Sequence, residues 1–137
     1  MATQYCPFDV VGLGVSTIDI LTIVDEFPSS EGVQRGIASK VEGGGPVATA
    51  LVTLAKLGAH VGMIDHIGND WRGSLILEEF RSHNVCIDMI QVDDNISSSM
   101  ASILVRRRDG KRAIVYTPGT EKELTEDDIS PKVIESA

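Results

Sequence analysis

Cysteine is scarce in this chain: only Cys6 and Cys86 occur among 137 residues. Neither belongs to a C-x-x-C pair and no histidine cluster lies near them, so neither a disulfide framework nor a zinc site is expected. They read as reduced thiols of a cytoplasmic protein. Long apolar runs are missing as well. The longest stretch without a charge, Gly43 to Ala55, holds three glycines and a proline and is too short to span a bilayer. Met1 to Pro7 has no basic n-region and no apolar h-region, so no secretory signal is expected. Positive charge is short too. The formal net charge of −8 argues against nucleic acid as a partner, because its phosphates would be repelled. The one basic run, Arg106-Arg107-Arg108 with Lys111-Arg112, flanks Asp109-Gly110. That dipeptide between β-rich runs signals a two-residue hairpin, and the run reads as a solvated hairpin tip rather than a phosphate-binding patch.

What is present fits one globular domain. Hydrophobic residues make up 42% and charged residues 23%, and the length suffices for a core without staples. Phe8 to Leu13 predicts a short buried strand, and Ile18 to Val24 resumes the β pattern after Gly14. A further strand is expected over 33–42. Gly43-Gly44-Gly45-Pro46 then opens a helix from Val47 to Leu57, stopped by Gly58. Its polar residues, Thr49, Thr53 and Lys56, fall on one narrow stripe, so the rest of that helix is expected to be buried. Val61 to Ile67 predicts a second core strand, with Asn69 or Asp70 capping a helix through His83. Val85 to Val92 predicts a strand, and Ser99 to Val105 pairs with Arg112 to Tyr116 across the Asp109-Gly110 turn. Helices alternating with apolar strands indicate an α/β layer with parallel pairing. Four strands, about 16–25, 33–42, 98–106 and 111–117, do not fit between those helices. They are expected to form a small antiparallel sheet off the main layer, covering a ligand, a partner chain or both.

Three segments could carry chemistry. Gly12-Leu13-Gly14 begins a dinucleotide fingerprint, but Thr17 stands where its third glycine belongs and β-branched residues follow in place of a helix. Glycines that bend the chain from one sheet to another explain it better. Gly43-Gly44-Gly45-Pro46 is stronger, because glycines let backbone amides approach a ligand and the helix N-terminus offers free N–H donors. No Gly-Lys-Ser/Thr follows, so hydroxyls suit it better than a triphosphate. Asp19 is a carboxylate inside an apolar strand, and it needs either partners such as sugar hydroxyls or an edge turned to solvent.

Gly44 to Gly58, followed ten residues later by Gly68, resembles the N-terminal signature of the ribokinase/PfkB family of carbohydrate kinases. Ile67-Gly68-Asn69-Asp70-Trp71-Arg72-Gly73 looks like that family's next characteristic stretch, and Gly14-Val15-Ser16-Thr17-Ile18-Asp19 is similar to its opening strand and substrate-binding aspartate. The resemblance implies a ribokinase-like fold, a Rossmann-like parallel core with a small antiparallel β-sheet lid over a sugar site. It implies Asp19 holding sugar hydroxyls, Thr17 among the substrate-binding residues, and the Gly44-Gly45 backbone close to the sugar. Thr49 stands where most family members carry asparagine, and the Gly-Gly-Gly-Pro-Val-Ala-Thr form is similar to a branch acting on ketohexoses and their derivatives.

The family's second signature, a Gly-Ala-Gly-Asp type anion hole with the catalytic base and the ATP site, lies far towards the C-terminus. The chain is therefore expected to be the N-terminal, substrate-holding part, with no catalytic residue and no metal ligand of its own. ATP and Mg²⁺ would belong to the full-length enzyme. The partners implied are a sugar or sugar phosphate and a second copy of the chain through the lid. The competing readings are a non-catalytic sugar-binding or dimerisation module and, behind it, a dinucleotide-binding domain.

Overall fold

The computed structural model describes residues 7–119 and 124–137. A parallel sheet forms the base. Its strands are β1 (Val10–Leu13), β4 (Val61–Gly68) and β5 (Cys86–Asp93), ordered β1-β4-β5. Helix α1 (Pro46–Lys56) leads into β4, and α2 (Trp71–Ser82) connects β4 to β5. Asp70 is the N-cap of α2 and accepts the Gly73 amide at 2.8 Å. Gly58, at φ +94°, takes the left-handed turn that ends α1. Leu51, Val61, Met63, Ile67, Ile76 and Phe80 build the core between sheet and helices.

Above this layer stand β2 (Thr17–Val24), β3 (Ala38–Gly44), β6 (Ser99–Arg106) and β7 (Arg112–Thr117), ordered β3-β2-β6-β7. A short 3₁₀ turn (Glu126–Asp128) and α3 (Pro131–Glu135) follow, with Val133 packed on Phe8 and Ile64. The upper sheet is mixed, not antiparallel as the sequence pattern led us to expect. β2 pairs antiparallel with β3, and β6 with β7, but β2 and β6 run parallel, Thr17 opposite Ser99 through Val24 opposite Arg106. The cause is where the chain enters. The Ser99 hydroxyl donates to the Ser16 carbonyl at 2.9 Å, so β6 starts beside the start of β2 and must run the same way.

Two other expectations are corrected. The strand expected over 33–42 begins only at Ala38, because its partner β2 ends at Val24 and residues further back have nothing to pair with. Val33 is fully exposed. Only Ala48 and Leu51 of α1 are fully buried, since the sheet covers one face of that helix. Arg106 to Arg108 at the β6–β7 tip are matched by Asp25 and Glu26, just beyond β2, and by Asp109 of the tip itself. Arg106 contacts Glu26 at 3.3 Å and Asp109 at 2.7 Å, Arg107 contacts Asp25 at 2.6 Å, and Arg108 contacts Glu26 at 3.1 Å. No helix among the described residues is long and apolar enough to cross a membrane.

Candidate functional site

The site grows from the step between the two sheets. β1 ends at Leu13, the chain turns through Gly14-Val15-Ser16, and β2 starts at Thr17. A strand, not a helix, therefore follows Gly12-Leu13-Gly14, and no helix N-terminus is there to receive a pyrophosphate. Residues two apart on a strand share a face, which places Thr17 and Asp19 side by side. The Thr17 hydroxyl donates to Asp19 Oδ1 at 2.8 Å. Across the antiparallel pairing Gly44 stands opposite Thr17 and Glu42 opposite Asp19. A Cβ on Gly44 would lie 2.3 Å from Asp19 Oδ1, so only glycine lets the carboxylate lie over the β3 backbone. Ala101 and Tyr116 continue the cross-strand row that carries Glu42 and Asp19. Asp19 is half-buried at the centre of that row.

Gly45 links this sheet to α1. Its φ of +99° is closed to most side chains, and a Cβ there would come within 2.4 Å of the Val15 carbonyl oxygen. The helix opens at Pro46 with Gly45 as N-cap and no side-chain cap, so the first-turn amides of Val47 and Ala48 keep their donor capacity. Thr49, Thr53 and Lys56, the polar stripe read from the sequence, line a cavity of about 210 Å³ together with Thr17 and Gly44. Asp19 does not line it; the aspartate reaches the site through Thr17 and Gly44 on the sheet face. Thr17, Asp19 and Gly44 are thus in contact, Thr49 shares the cavity with two of them, and Gly45 forms the bend between.

A second cavity, about 310 Å³, adjoins the first and shares Ser16 with it. Asp65, His66 and Ser97 to Ser99 line it. Asp65 Oδ2 accepts the Ser16 amide at 2.8 Å and the Ser16 hydroxyl, and Oδ1 accepts the His66 amide at 2.8 Å. Burial pushes the Asp65 carboxyl above the usual carboxylate range, against the lowering effect of those hydrogen bonds and of His66. His66 Nε2 lies 3.6 Å from Asp93, and its Nδ1 is buried without a hydrogen-bond partner. Sequence reasoning missed this Ser16–Asp65 tie. Its only signal was an acid inside an otherwise apolar strand.

The described residues contain no grouping of three or more His, Cys, Asp or Glu able to hold a metal ion, and the glycine-rich turn before α1 carries no lysine.

Residues 8–137 match the profile of the pfkB family carbohydrate kinases. The chain belongs to that family. It is 28% identical over 121 residues to a ribokinase of Dictyostelium discoideum, covering 88% of this chain and 38% of that protein. The fold superposes on a putative ribokinase from Agrobacterium tumefaciens with a TM-score of 0.80 at 21% identity, over 92% of this chain and 41% of that one. Arabidopsis thaliana ribokinase, solved with ribose and ATP, gives a TM-score of 0.78 at 20% identity, over 96% of this chain and 44% of that one. The pfkB chain described here therefore spans about two fifths of the length of the relatives it matches.

Proposed function

We propose that this pfkB chain is the sugar-holding part of an ATP-dependent carbohydrate kinase, with the nucleotide site and catalytic base supplied by the rest of the full-length protein. One observation carries the reading: a carboxylate braced by Thr17 and laid over a glycine that admits no side chain, beside an uncapped helix N-terminus. Hydroxyls of a sugar satisfy both partners, donating to Asp19 and accepting from the helix amides. Thr49 would add one short hydroxyl contact. Being shorter than an amide side chain, it leaves room for the extra hydroxymethyl group of a ketohexose, and ribose is the competing substrate. The relatives named above as ribokinases support ribose as the comparison sugar. A homodimer through the upper sheet and a cytoplasmic setting, in keeping with the free thiol of Cys86, complete the proposal.

The test is Asp19→Ala in the full-length kinase, titrated with fructose, tagatose, ribose and their phosphates. The expected loss is about ten- to a hundredfold in sugar affinity, the equivalent of one or two charge-assisted hydrogen bonds, with little change in melting temperature. Unchanged affinity for the best sugar would remove Asp19 from the site.

A further inference from the structure

Asp65 is 5% exposed, and no reacting group need touch it. Its three accepted hydrogen bonds are all internal: two from Ser16 and one from the His66 amide. Ser16 is held on its other side as well, its carbonyl accepting from Ser99 at 2.9 Å. The preceding carbonyl, of Val15, sits against Gly45 so closely that a Cβ there would be 2.4 Å away. The turn between the two sheets is therefore gripped from β4, β6 and the start of α1. Among the described residues Ser16 of this turn lines both cavities, and the next residue is Thr17.

We propose that Asp65 is a positioning residue for the sugar site: through Ser16 it fixes the Val15–Thr17 turn and so sets Thr17 and Asp19 against Gly44-Gly45. The proposal rests on the sugar-site reading above. A buried carboxylate is an expensive way to fill a core position, because desolvation penalises its charged form. Burial pushes this carboxyl upward, against the lowering effect of the hydrogen bonds from Ser16 and His66. What the carboxylate gives is two acceptor oxygens. One takes both donors of Ser16 while the other takes the His66 amide, which a single amide oxygen cannot do. With Asn at 65 an NH₂ group would face either the Ser16 or the His66 amide N–H, and the turn would shift.

The experiment compares wild type, Asp65→Asn, Ser16→Ala and Asp19→Ala in the full-length kinase, measuring kcat, both KM values and melting temperature. For Asp65→Asn the sugar KM should rise about tenfold, with ATP KM and kcat at saturating sugar within about threefold of wild type. Its melting temperature should move by less than about 4 °C. Ser16→Ala, which keeps the amide and removes only the hydroxyl, should raise sugar KM about threefold. A folded Asp65→Asn enzyme with unchanged sugar KM, or with equal losses for sugar and ATP, would overturn the proposal. If Asp65→Asn does not fold, Ser16→Ala decides, and an unchanged sugar KM there overturns it. Sugar binding lost in Asp19→Ala but kept in the Asp65 and Ser16 variants would sink this inference alone, whereas binding kept in Asp19→Ala would sink the sugar-site reading itself.

Discussion

Asp19 owes its place to what Gly44 lacks. The carboxylate occupies the space a Cβ would take, 2.3 Å away, and Thr17 holds it there from the same strand face. Gly44→Ala must therefore displace the carboxylate from the β3 backbone. The expected result in the full-length kinase is a fall in sugar affinity of about tenfold with unchanged far-UV circular dichroism, and undiminished affinity would show that the close approach is incidental. Asp19, Gly44 and Gly45 were legible in the sequence because each breaks a local pattern: an acid in an apolar strand, or glycines at a helix mouth. The Ser16–Asp65 tie was not. Its partners are 49 residues apart, and a serine in a turn carries no local sign of which carboxylate it will meet.

At the scale of elements, strand direction was the blind spot. Alternation and β-branching locate β2, β3, β6 and β7, but the pattern is the same whichever way a strand runs. Direction is decided by tertiary entry points, here the Ser99–Ser16 bond that starts β6 alongside β2. The early start expected for the strand over 33–42 failed for a related reason, because β propensity cannot supply a partner where β2 has ended. The β6–β7 hairpin was readable from Asp109-Gly110, but its turn is longer than the two residues expected: the Gly110 amide donates to the Arg106 carbonyl at 2.8 Å, and Gly110 takes φ +68° while Asp109 does not take a positive φ. On β7, Ile114 and Tyr116 are exposed on the face of Asp19, and Val115, 68% exposed, lies on the other. Apolar surface on both faces and an outer edge on β7 are the grounds for the proposed lid-to-lid homodimer. Light scattering of the full-length kinase at micromolar concentration should give the dimer mass, with Val115→Glu shifting it towards the monomer. A strictly monomeric mass for the wild type would count against this interface.

For the whole molecule, the proposal divides the work between a sugar-holding part and a part that supplies the nucleotide site and the base. Of the acids that line the first cavity, Glu42 lies beside Lys40 and Glu79 beside His83. Asp70 caps α2 and binds Arg72, and Asp65 accepts hydrogen bonds from Ser16 and His66. For Asp70, hydrogen bonds from Gly73 and Ser98 and the charge of Arg72 outweigh desolvation and hold its carboxyl below the usual range, as suits a structural cap rather than a proton acceptor. Phosphoryl transfer needs a base for the hydroxyl and a cradle for the γ-phosphate, which the proposal above assigns to the rest of the full-length protein. The α/β class and the candidate site residues were readable from Gly44 to Gly58 and from Asp19, while which strands lie at the edges of the parallel sheet, β1 and β5, was fixed only in three dimensions. The most direct measurement is sugar-dependent ADP release by this 137-residue polypeptide, purified and supplied with ATP, Mg²⁺, ribose, fructose, tagatose and their phosphates. The expected result is release no higher than a no-sugar control for every sugar, while the full-length kinase under the same conditions releases ADP. Sugar-dependent release by the 137-residue chain well above that control would place the base and the phosphate cradle within these residues and contradict the assignment.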